Sequence, residues 1–297
     1  MRPSALSNHH QIGRAARKVA RVAQALENFF QANMLPRMGF IQSVRMGINS
    51  CADIYSRLSC DSFGTIQLGN HVTLSRARMK VGKNATLQAA DFCTIQDTTV
   101  EVGEDSKIIL GEGVQLRGVT VQVSQAGVLD IAAGGVFVCE PSHPFSVIIT
   151  KGSAVFGPRV HVSGDIFVRF GGRLKVGQYT GIGMGALLRC EEAITIGDYC
   201  LISYDVVVYD TNAHSIDWKE RRHRIEVGYP VGMDEVVKPP TKPIEIGNDV
   251  WIGMRSLILK GAKIGDRVIV GMGTTVTGSV PEDSLVVSEQ PRIISRK

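Results

Sequence analysis

The sequence predicts an all-β fold, a parallel β-helix of six-residue repeats, with an α-helix before it and one long projecting loop. From about residue 64 onward, short apolar pairs are repeatedly followed by glycine, and near the C-terminus an aliphatic residue recurs at every sixth position. The composition agrees, because 32 glycines and an aromatic content of 6% suit narrow repeated layers and tight turns. The 297 residues are enough for one large or two modest domains.

The N-terminal segment, residues 1–58, is predicted to be helical and distinct from a β-helix domain at 59–297. Within it, residues 11–35 carry apolar residues at alternating spacings of four and three, which places them on one helix face, and Pro36 ends the helix. Residues 1–40 contain six basic residues and one glutamate, so their charge of +5 equals that of the whole chain. The predicted β-helix is therefore neutral overall, and we expect no nucleic-acid partner.

Two interpretations of the basic helix remain open. It can lie on an anionic membrane surface as a peripheral anchor, or it can pack on the rest of the protein or on a neighbouring subunit. The chain has no run of 18 apolar residues, and no apolar signal segment is evident at its start. Its six scattered cysteines form no CxxC pair, which favours free thiols in a reducing cytoplasm over a zinc site. We therefore expect a cytoplasmic protein, at the inner face of the membrane if residues 11–35 bind lipid.

The six-residue repeat is most regular between residues 246 and 280. If each hexad is a short strand plus a turn, three hexads close one triangular coil. The recurring aliphatic side chain then points inward and stacks on its equivalent one coil away, at the ~4.8 Å spacing of parallel strands. The glycine that often follows it relieves crowding at the corner. The inward-facing series is Ile246, Ile252, Ile258, Ile264, Val270 and Val276.

One interruption of the repeat is long. The distance along the chain from Ile196 to Ile246 is two and a half times that from Val176 to Ile196. The excess falls at about 210–243, a polar stretch with a Pro-Pro pair that cannot continue a strand ladder. A long excursion from a rigid scaffold is typical of a functional loop, and the His, Asp, Trp and Arg content favours that interpretation.

The stretch from residue 246 to 281, which contains the sequence IGNDVWIG, resembles the hexapeptide-repeat acyltransferases. It is similar in particular to the sugar O-acetyltransferases of the galactoside, maltose and surface-polysaccharide type. The resemblance is strong over about 174–297 and thin over 60–173. It implies a left-handed parallel β-helix, a homotrimer, and acetyl-CoA as co-substrate in a groove between adjacent subunits. The handedness rests on the resemblance alone, because general chain physics favours right-handed crossovers.

The resemblance also implies a catalytic residue. The family's histidine stands in a loop just before the IGxxVWIG segment, and His214 occupies that place here. An imidazole titrates near neutral pH, so His214 can accept the proton of a hydroxyl that attacks the thioester. Either Asp210 or Asp217 is expected to hold the imidazole tautomer, and the sequence does not choose between them.

The same loop supplies the residues predicted to bind the acceptor, which are Asn212, Arg221 and Arg222. Guanidinium groups suit an anionic acceptor sugar or the phosphates of CoA. The alternative is that these arginines form a solvated face of the loop. The asparagine that binds sugar in the galactoside type falls on Gly183 here, so acceptor recognition does not transfer from that subgroup.

A further set of residues is implied to contact acetyl-CoA. Methionine stands at two positions where the family usually has a small residue, which would narrow the groove unless the contacts are made through the backbone. The C-terminal arginine of the set is suited to a phosphate, and no metal is expected. The set comprises Trp251, Gly253, Met254, Gly271, Met272, Thr277 and Arg296.

Other functions fit the same repeats. An N-acetyltransferase acting on an amino sugar or another amine is not excluded by any residue. A non-catalytic β-helix used for trimerisation is disfavoured by the presence of both His214 and Trp251 in the family's positions. A zinc-dependent carbonic anhydrase needs three convergent histidines, and His143, His161 and His214 are too far apart in sequence. We therefore predict an enzyme that moves an acyl group from acyl-CoA to a hydroxyl of a sugar or polysaccharide precursor.

Overall fold

The computed structural model describes residues 44–53, 55–140, 143–228 and 237–289. Over these residues the chain winds as short strands into a three-sided solenoid, and every strand pairs in parallel with equivalent strands in neighbouring coils. The prediction of a parallel β-helix is confirmed, and the winding is consistent with the left-handed form. The helix predicted at 11–35 and the CoA contact predicted at Arg296 lie outside the described residues.

The solenoid has three faces. Face one is one sheet of β2 (Cys51–Ala52), β5 (Thr73–Ser75), β8 (Thr94–Gln96), β11 (Gln115–Arg117), β14 (Val136–Val138), β16 (His161–Val162), β18 (Gly181–Ile182), β21 (Leu201–Ile202), β24 (Trp251–Ile252), β27 (Ile269–Val270) and β30 (Leu285–Val286). Face two holds β3 (Arg57–Cys60), β6 (Arg78–Val81), β9 (Thr99–Val102), β12 (Thr120–Ser124), β19 (Leu187–Cys190), β22 (Val207–Tyr209), β25 (Leu257–Leu259) and β28 (Thr275–Val276). Face three holds β1 (Val44–Met46), β4 (Thr65–Leu68), β7 (Thr86–Ala89), β10 (Lys107–Leu110), β13 (Val128–Ile131), β20 (Ala193–Ile196), β23 (Ile244–Ile246), β26 (Lys263–Ile264) and β29 (Ser279–Val280). Two longer strands contribute to both faces two and three, and these are β15 (Ser146–Phe156) and β17 (Asp165–Val176).

Three corners join these faces, and they locate every functional residue below. Corner one leads from face three to face one, as between β23 and β24. Corner two leads from face one to face two, as between β24 and β25. Corner three leads from face two back to face three, as between β25 and β26.

The core is the stack of inward-facing aliphatic side chains. All six members of the predicted series are at most 4% exposed. Ile246 pairs with Ile264, and Ile252 pairs with Val270, so each stacks on its equivalent in the next coil as predicted. Burial of each such side chain stabilises the fold by about 1.5–3 kcal/mol.

The glycines of the repeat relieve crowding at the corner, as predicted, and the crowding comes from the neighbouring coil. The left-handed backbone position of corner two is Arg255 (φ 60), two residues after Gly253. A Cβ on Gly253 would lie 2.6 Å from the backbone nitrogen of Met272 in the next coil. Glycine is required there because neighbouring coils approach closely, and not because the turn needs a positive φ.

Coil length changes along the solenoid. One coil of the N-terminal half runs from Thr73 to its equivalent Thr94, whereas one coil near the C-terminus runs from Trp251 to Ile269 and is shorter by half a hexad. The same architecture therefore runs through the N-terminal half, where hexads in strict phase are absent. The first described strands lie at 44–52, so the coils begin before the boundary at residue 59 that the repeats indicated.

The long excursion after β22 leaves the solenoid at corner three. It contains the helix α1 (Trp218–Gly228), where the sequence indicated only a loop, and that helix has no buried residue. The ladder continues past the excursion, because Ile194 pairs with Ile244. Among the described residues, no helix combines the length and apolar character needed to cross a bilayer.

Candidate active site

The excursion that carries His214 is tied to the solenoid by a buried carboxylate. Asp210 is 0% exposed, and its two oxygens accept backbone N–H groups from Glu191, Glu192 and Ala193 at 2.8, 2.8 and 2.9 Å. Burial raises the pKa of Asp210, while the three N–H groups act in the opposite direction. Asp210 therefore fixes the start of the excursion to corner three of the preceding coil.

A second buried carboxylate reinforces this attachment. Glu191 is 0% exposed and pairs with Arg189, whose Nη2 lies 2.8 Å from Oε1. Its other oxygen accepts a hydrogen bond of 2.8 Å from the hydroxyl of Thr211, and that hydroxyl also accepts the N–H of Ala213 at 3.1 Å. Sequence reasoning missed this network. The sequence contains no clear signal of it, because the residue after Val168, the equivalent of Cys190 in the preceding coil, is also a charged one, Arg169.

The other end of the excursion returns to the same place. The N–H of Lys242 donates to the carbonyl of Asp210 at 2.9 Å, and the N–H of Asn212 donates to the carbonyl of Pro240 at 3.1 Å. The hydroxyl of Thr241 donates to a carboxylate oxygen of Glu192 at 2.5 Å. Both ends are therefore fixed at corner three, and the described contact of Asn212, a predicted acceptor-binding residue, is a backbone one.

His214 is exposed and lies between the anchored Thr211 and the start of α1. Asp217 caps that helix, because its Oδ1 accepts the N–H of Lys219 at 2.8 Å. The two aspartates expected to orient the imidazole thus have other partners, the corner for Asp210 and the helix end for Asp217. Their role at His214 stays a prediction.

The two predicted acceptor-binding arginines lie on the exposed surface of α1. Arg221 donates from Nη1 to the carbonyls of Ser215 and Ile216 at 2.8 and 2.7 Å, which braces the turn directly after His214. The guanidinium of Arg222 lies over the ring of Trp218 at 4.8 Å. Arg221 is therefore committed to the shape of the loop, and Arg222 presents its charge beside an aromatic surface.

The predicted CoA contacts gather around corner two. Gly253 and Met254 form this corner in one coil, and Gly271 and Met272 form it in the next. Met272 is 66% exposed.

The indole of Trp251, on face one beside that corner, is half exposed and donates from Nε1 to the hydroxyl of Ser203 at 3.2 Å. Trp251 and Met272 thus present exposed apolar side chains at and beside corner two. Thr277 is exposed but lies at corner three, after β28.

In a single chain, the predicted base and most of the predicted CoA contacts therefore lie at different corners. His214 and Thr277 belong to corner three, whereas Trp251, Met254 and Met272 belong to corner two and the adjoining face. Within the described part of the chain, no group of three or more His, Cys, Asp or Glu residues is arranged to hold a metal ion. All six cysteines are free thiols.

The three-faced solenoid is built from the six-residue repeats that the sequence predicted. Residues 243–278 match the family model described as bacterial transferase hexapeptide (six repeats). Galactoside O-acetyltransferase of Escherichia coli (strain K12) is 26% identical over 158 residues, which cover 52% of this chain and 71% of that protein. WbbJ of the same organism, named for lipopolysaccharide biosynthesis O-acetyl transfer, is 27% identical over 140 residues, 47% of this chain and 66% of that protein.

A hexapeptide-repeat acetyltransferase of Vibrio cholerae, crystallised with acetyl coenzyme A, is 28% identical and has a TM-score of 0.34. The alignment covers 52% of this chain and 67% of that one. The matched region is thus about half of the chain in each of these comparisons. The chain is therefore similar to the hexapeptide-repeat acetyltransferases over about half of its length.

Proposed function

We propose that the protein transfers an acetyl group from acetyl-CoA to a hydroxyl of a sugar or polysaccharide precursor, with His214 as general base. The observation that carries the proposal is the attachment of the loop with His214 to corner three. Two buried carboxylates and the backbone hydrogen bonds between the two ends of the excursion hold it there. A catalytic base must be held in position if it is to be effective. The names of the two relatives, which refer to galactoside and lipopolysaccharide O-acetylation, support a sugar hydroxyl as acceptor.

The chemistry needs one base and one site for negative charge. The imidazole of His214 takes the proton of the acceptor hydroxyl while that oxygen forms a bond to the thioester carbonyl carbon. The resulting oxyanion is stabilised by a backbone N–H near the coil surface, in the manner of an oxyanion hole. When the C–S bond breaks, the imidazolium returns its proton to the departing thiolate of CoA.

We further propose that neighbouring copies of the chain complete the site, as in the homotrimer that the resemblance implies. One copy would supply His214 from corner three, and the next would supply Trp251 and Met272 from corner two. The separation of these residues on different corners of one chain supports this arrangement. Met272, which is largely exposed, would then line the groove between subunits.

The test of the chemistry is release of free CoA thiol from acetyl-CoA, with galactosides and lipopolysaccharide oligosaccharides as acceptors and mass spectrometry of the products. His214→Ala should lower turnover about 10²–10⁴-fold, the range of general-base assistance. His161→Ala changes an exposed histidine on face one; it is the control and should keep full activity. Full turnover in His214→Ala, or no acceptor-dependent thiol release by the wild type, would refute the proposal.

Subunit mixing tests where the site lies. His214→Ala and Met272→Trp should each be inactive as pure oligomers, the second because the larger side chain blocks the groove. Co-expressed together, they should regain activity, because some interfaces then combine an intact His214 with an intact Met272. If each chain held a complete site, the mixture would stay as inactive as its parts.

A further inference from the structure

Corner one carries a column of residues that the proposed reaction does not use. Residues with left-handed backbone stand one per coil along this edge, and hydrogen bonds near 2.9 Å connect consecutive coils beside them. Their side chains form two aromatic stacks. Between Asn49 at one end of the column and Asp249, Arg267 and Asp283 at the other, it consists of His71, Phe92, Gly113, Gly134, Arg159, Tyr179 and Tyr199.

The two stacks face each other across a gap. His71 and Phe92 stack with parallel rings 5.0 Å apart, and Tyr179 and Tyr199 stack 5.2 Å apart with an interplanar angle of 7°. The guanidinium of Arg159 covers Tyr179 at 5.4 Å and donates to its hydroxyl at 2.6 Å. The gap is thus bounded at one end by a phenyl face and at the other by a guanidinium.

The gap exists because two consecutive coils have glycine in the column. Gly113 and Gly134 leave a depression of about 500 Å³, with Glu112 and Pro158 on its walls. Phe92 and Arg159 are three coils apart, which at ~4.8 Å per coil is about 14 Å along the solenoid axis. The depression is therefore long enough for a short run of a chain molecule rather than for one ring.

We propose that this corner-one groove binds a glycan chain. Sugar rings present flat C–H faces that pack on aromatic rings, and Phe92, 54% exposed, offers such a face to the gap. Sugar hydroxyls both donate and accept hydrogen bonds, which matches the Glu112 carboxylate on one wall and the Arg159 guanidinium at one end. Only one of the five guanidinium N–H groups is needed for the contact with Tyr179.

Charge favours a glycan over a nucleic acid, the other common partner of stacked aromatic residues. Residues 41–297 carry no net charge, since the +5 of the chain is contained in residues 1–40. Single-stranded nucleic acid needs a positively charged groove along its backbone, and here the one basic lining residue, Arg159, is offset by Glu112. The inference rests on the proposed function in one respect, because a polysaccharide acceptor is the glycan the enzyme would meet. The groove would hold a polymer at a distance from the site of transfer.

Two variants probe the groove in opposite ways. Phe92→Ala removes the phenyl face, and Gly113→Tyr fills the gap. A Cβ at position 113 meets nothing within 4 Å, and the same left-handed position already accepts tyrosine in two other coils. Phe63→Ala is the matched control, because Phe63 is also a left-handed residue, 79% exposed, but lies at corner three. Thermal melts confirm that each variant is folded.

Binding is measured without acetyl-CoA, on an array of immobilised bacterial surface polysaccharides and their oligosaccharide fragments, with an oligothymidylate as counter-probe. We expect the wild type to bind at least one polysaccharide, and Phe92→Ala and Gly113→Tyr to weaken that binding about tenfold or more, as loss of a buried aromatic contact implies. The dissociation constant of Phe63→Ala should lie within about twofold of that of the wild type. A difference of that size is too small for the loss of an aromatic contact with the glycan.

The outcomes separate this inference from the proposed function. Array binding that depends on Phe92, in a protein that transfers no acetyl group, upholds the groove and refutes the acetyl transfer. Acetylation of a polysaccharide with the same KM in Phe92→Ala and wild type refutes the groove and leaves the enzyme intact. Binding of no array glycan, equal binding by all variants, or preference for oligothymidylate each overturns the inference.

Discussion

Replacing Asp210 with alanine should destabilise the coil from which the loop with His214 departs. The side chain is fully buried and its carboxylate accepts three backbone N–H groups, which alanine would leave buried without an acceptor. Hydrogen bonds to charged groups contribute about 1.5–3 kcal/mol each, and relief of the burial of a carboxylate offsets part of that sum. We expect Asp210→Ala to lower the free energy of unfolding by about 3–5 kcal/mol, as for a broken buried charge network.

The assay combines urea unfolding with hydrogen exchange. Solenoids unfold in segments, so the exchange rates of the amides of Glu191, Glu192 and Ala193 report the local effect directly. Asp205→Ala is the control, because Asp205 is half exposed and its contact with Arg255 is a surface ion pair at 3.5 Å. The reasoning is wrong if Asp210→Ala unfolds within about 1 kcal/mol of the wild type, the ordinary scale of a point mutation, and its three amides keep their protection.

The same residue makes a signed prediction for pH. Burial raises the folded-state pKa of Asp210 above its unfolded value, so the folded protein binds the proton more tightly. The contribution of Asp210 to stability should therefore increase as pH falls through the folded pKa and level off below the unfolded pKa. Asp210→Asn removes this dependence. The free energy of unfolding of the wild type minus that of Asp210→Asn, measured across the acidic pH range, therefore isolates the contribution of the Asp210 carboxyl. A difference that decreases as pH falls would show that the three N–H groups outweigh burial.

Two further predictions concern packing and thiol chemistry. Gly253→Ala should destabilise by about 1–3 kcal/mol, the usual cost of overpacking, because its Cβ would lie 2.6 Å from the backbone nitrogen of Met272. Gly278→Ala, with nothing within 4 Å of the added atom, should change the urea midpoint little, and equal effects of the two substitutions would contradict the close-approach argument. Burial raises the pKa of Cys93 to about 11, so at pH 8 a thiol reagent should modify the exposed Cys51 quickly and Cys93 only after denaturation. Mass mapping of the labelled peptides checks this, and rapid labelling of Cys93 in the native protein would contradict it.

The fold was predictable from the sequence where one coil contains a whole number of six-residue repeats. The coil from Trp251 to Ile269 consists of three whole hexads, so the inward residues appear there at a constant spacing of six. The coil from Thr73 to Thr94 is longer by half a hexad, because its strands β6 and β7 have four residues each where β25 and β26 have three and two, and these extra residues shift the phase. The same inward stack then leaves only scattered apolar pairs in the sequence, which is why the pattern alone did not show coils as early as residue 44.

The candidate site was predictable in part for a similar reason. His214 and Trp251 were selected because they match positions of the family that the sequence resembles, and their roles stay predictions. The roles of Asp210 and Glu191 depend on contacts between neighbouring coils, and a lone carboxylate in the sequence does not reveal three backbone N–H groups aimed at it. Asp217 was ambiguous because an aspartate before a short helix serves as a cap as readily as a partner for histidine.

The clasp between Thr211 and Thr241 has a consequence for how such an enzyme can change. Both stems of the excursion meet at one corner, and the strand ladder continues from Ile194 to Ile244. The strand pairing of the solenoid therefore does not depend on the segment between the stems. Closing a longer or shorter insert between fixed ends costs little, since loop entropy grows only slowly with length. The insert can therefore vary in length and sequence while the stacked core, and the stability it provides, stays as it is.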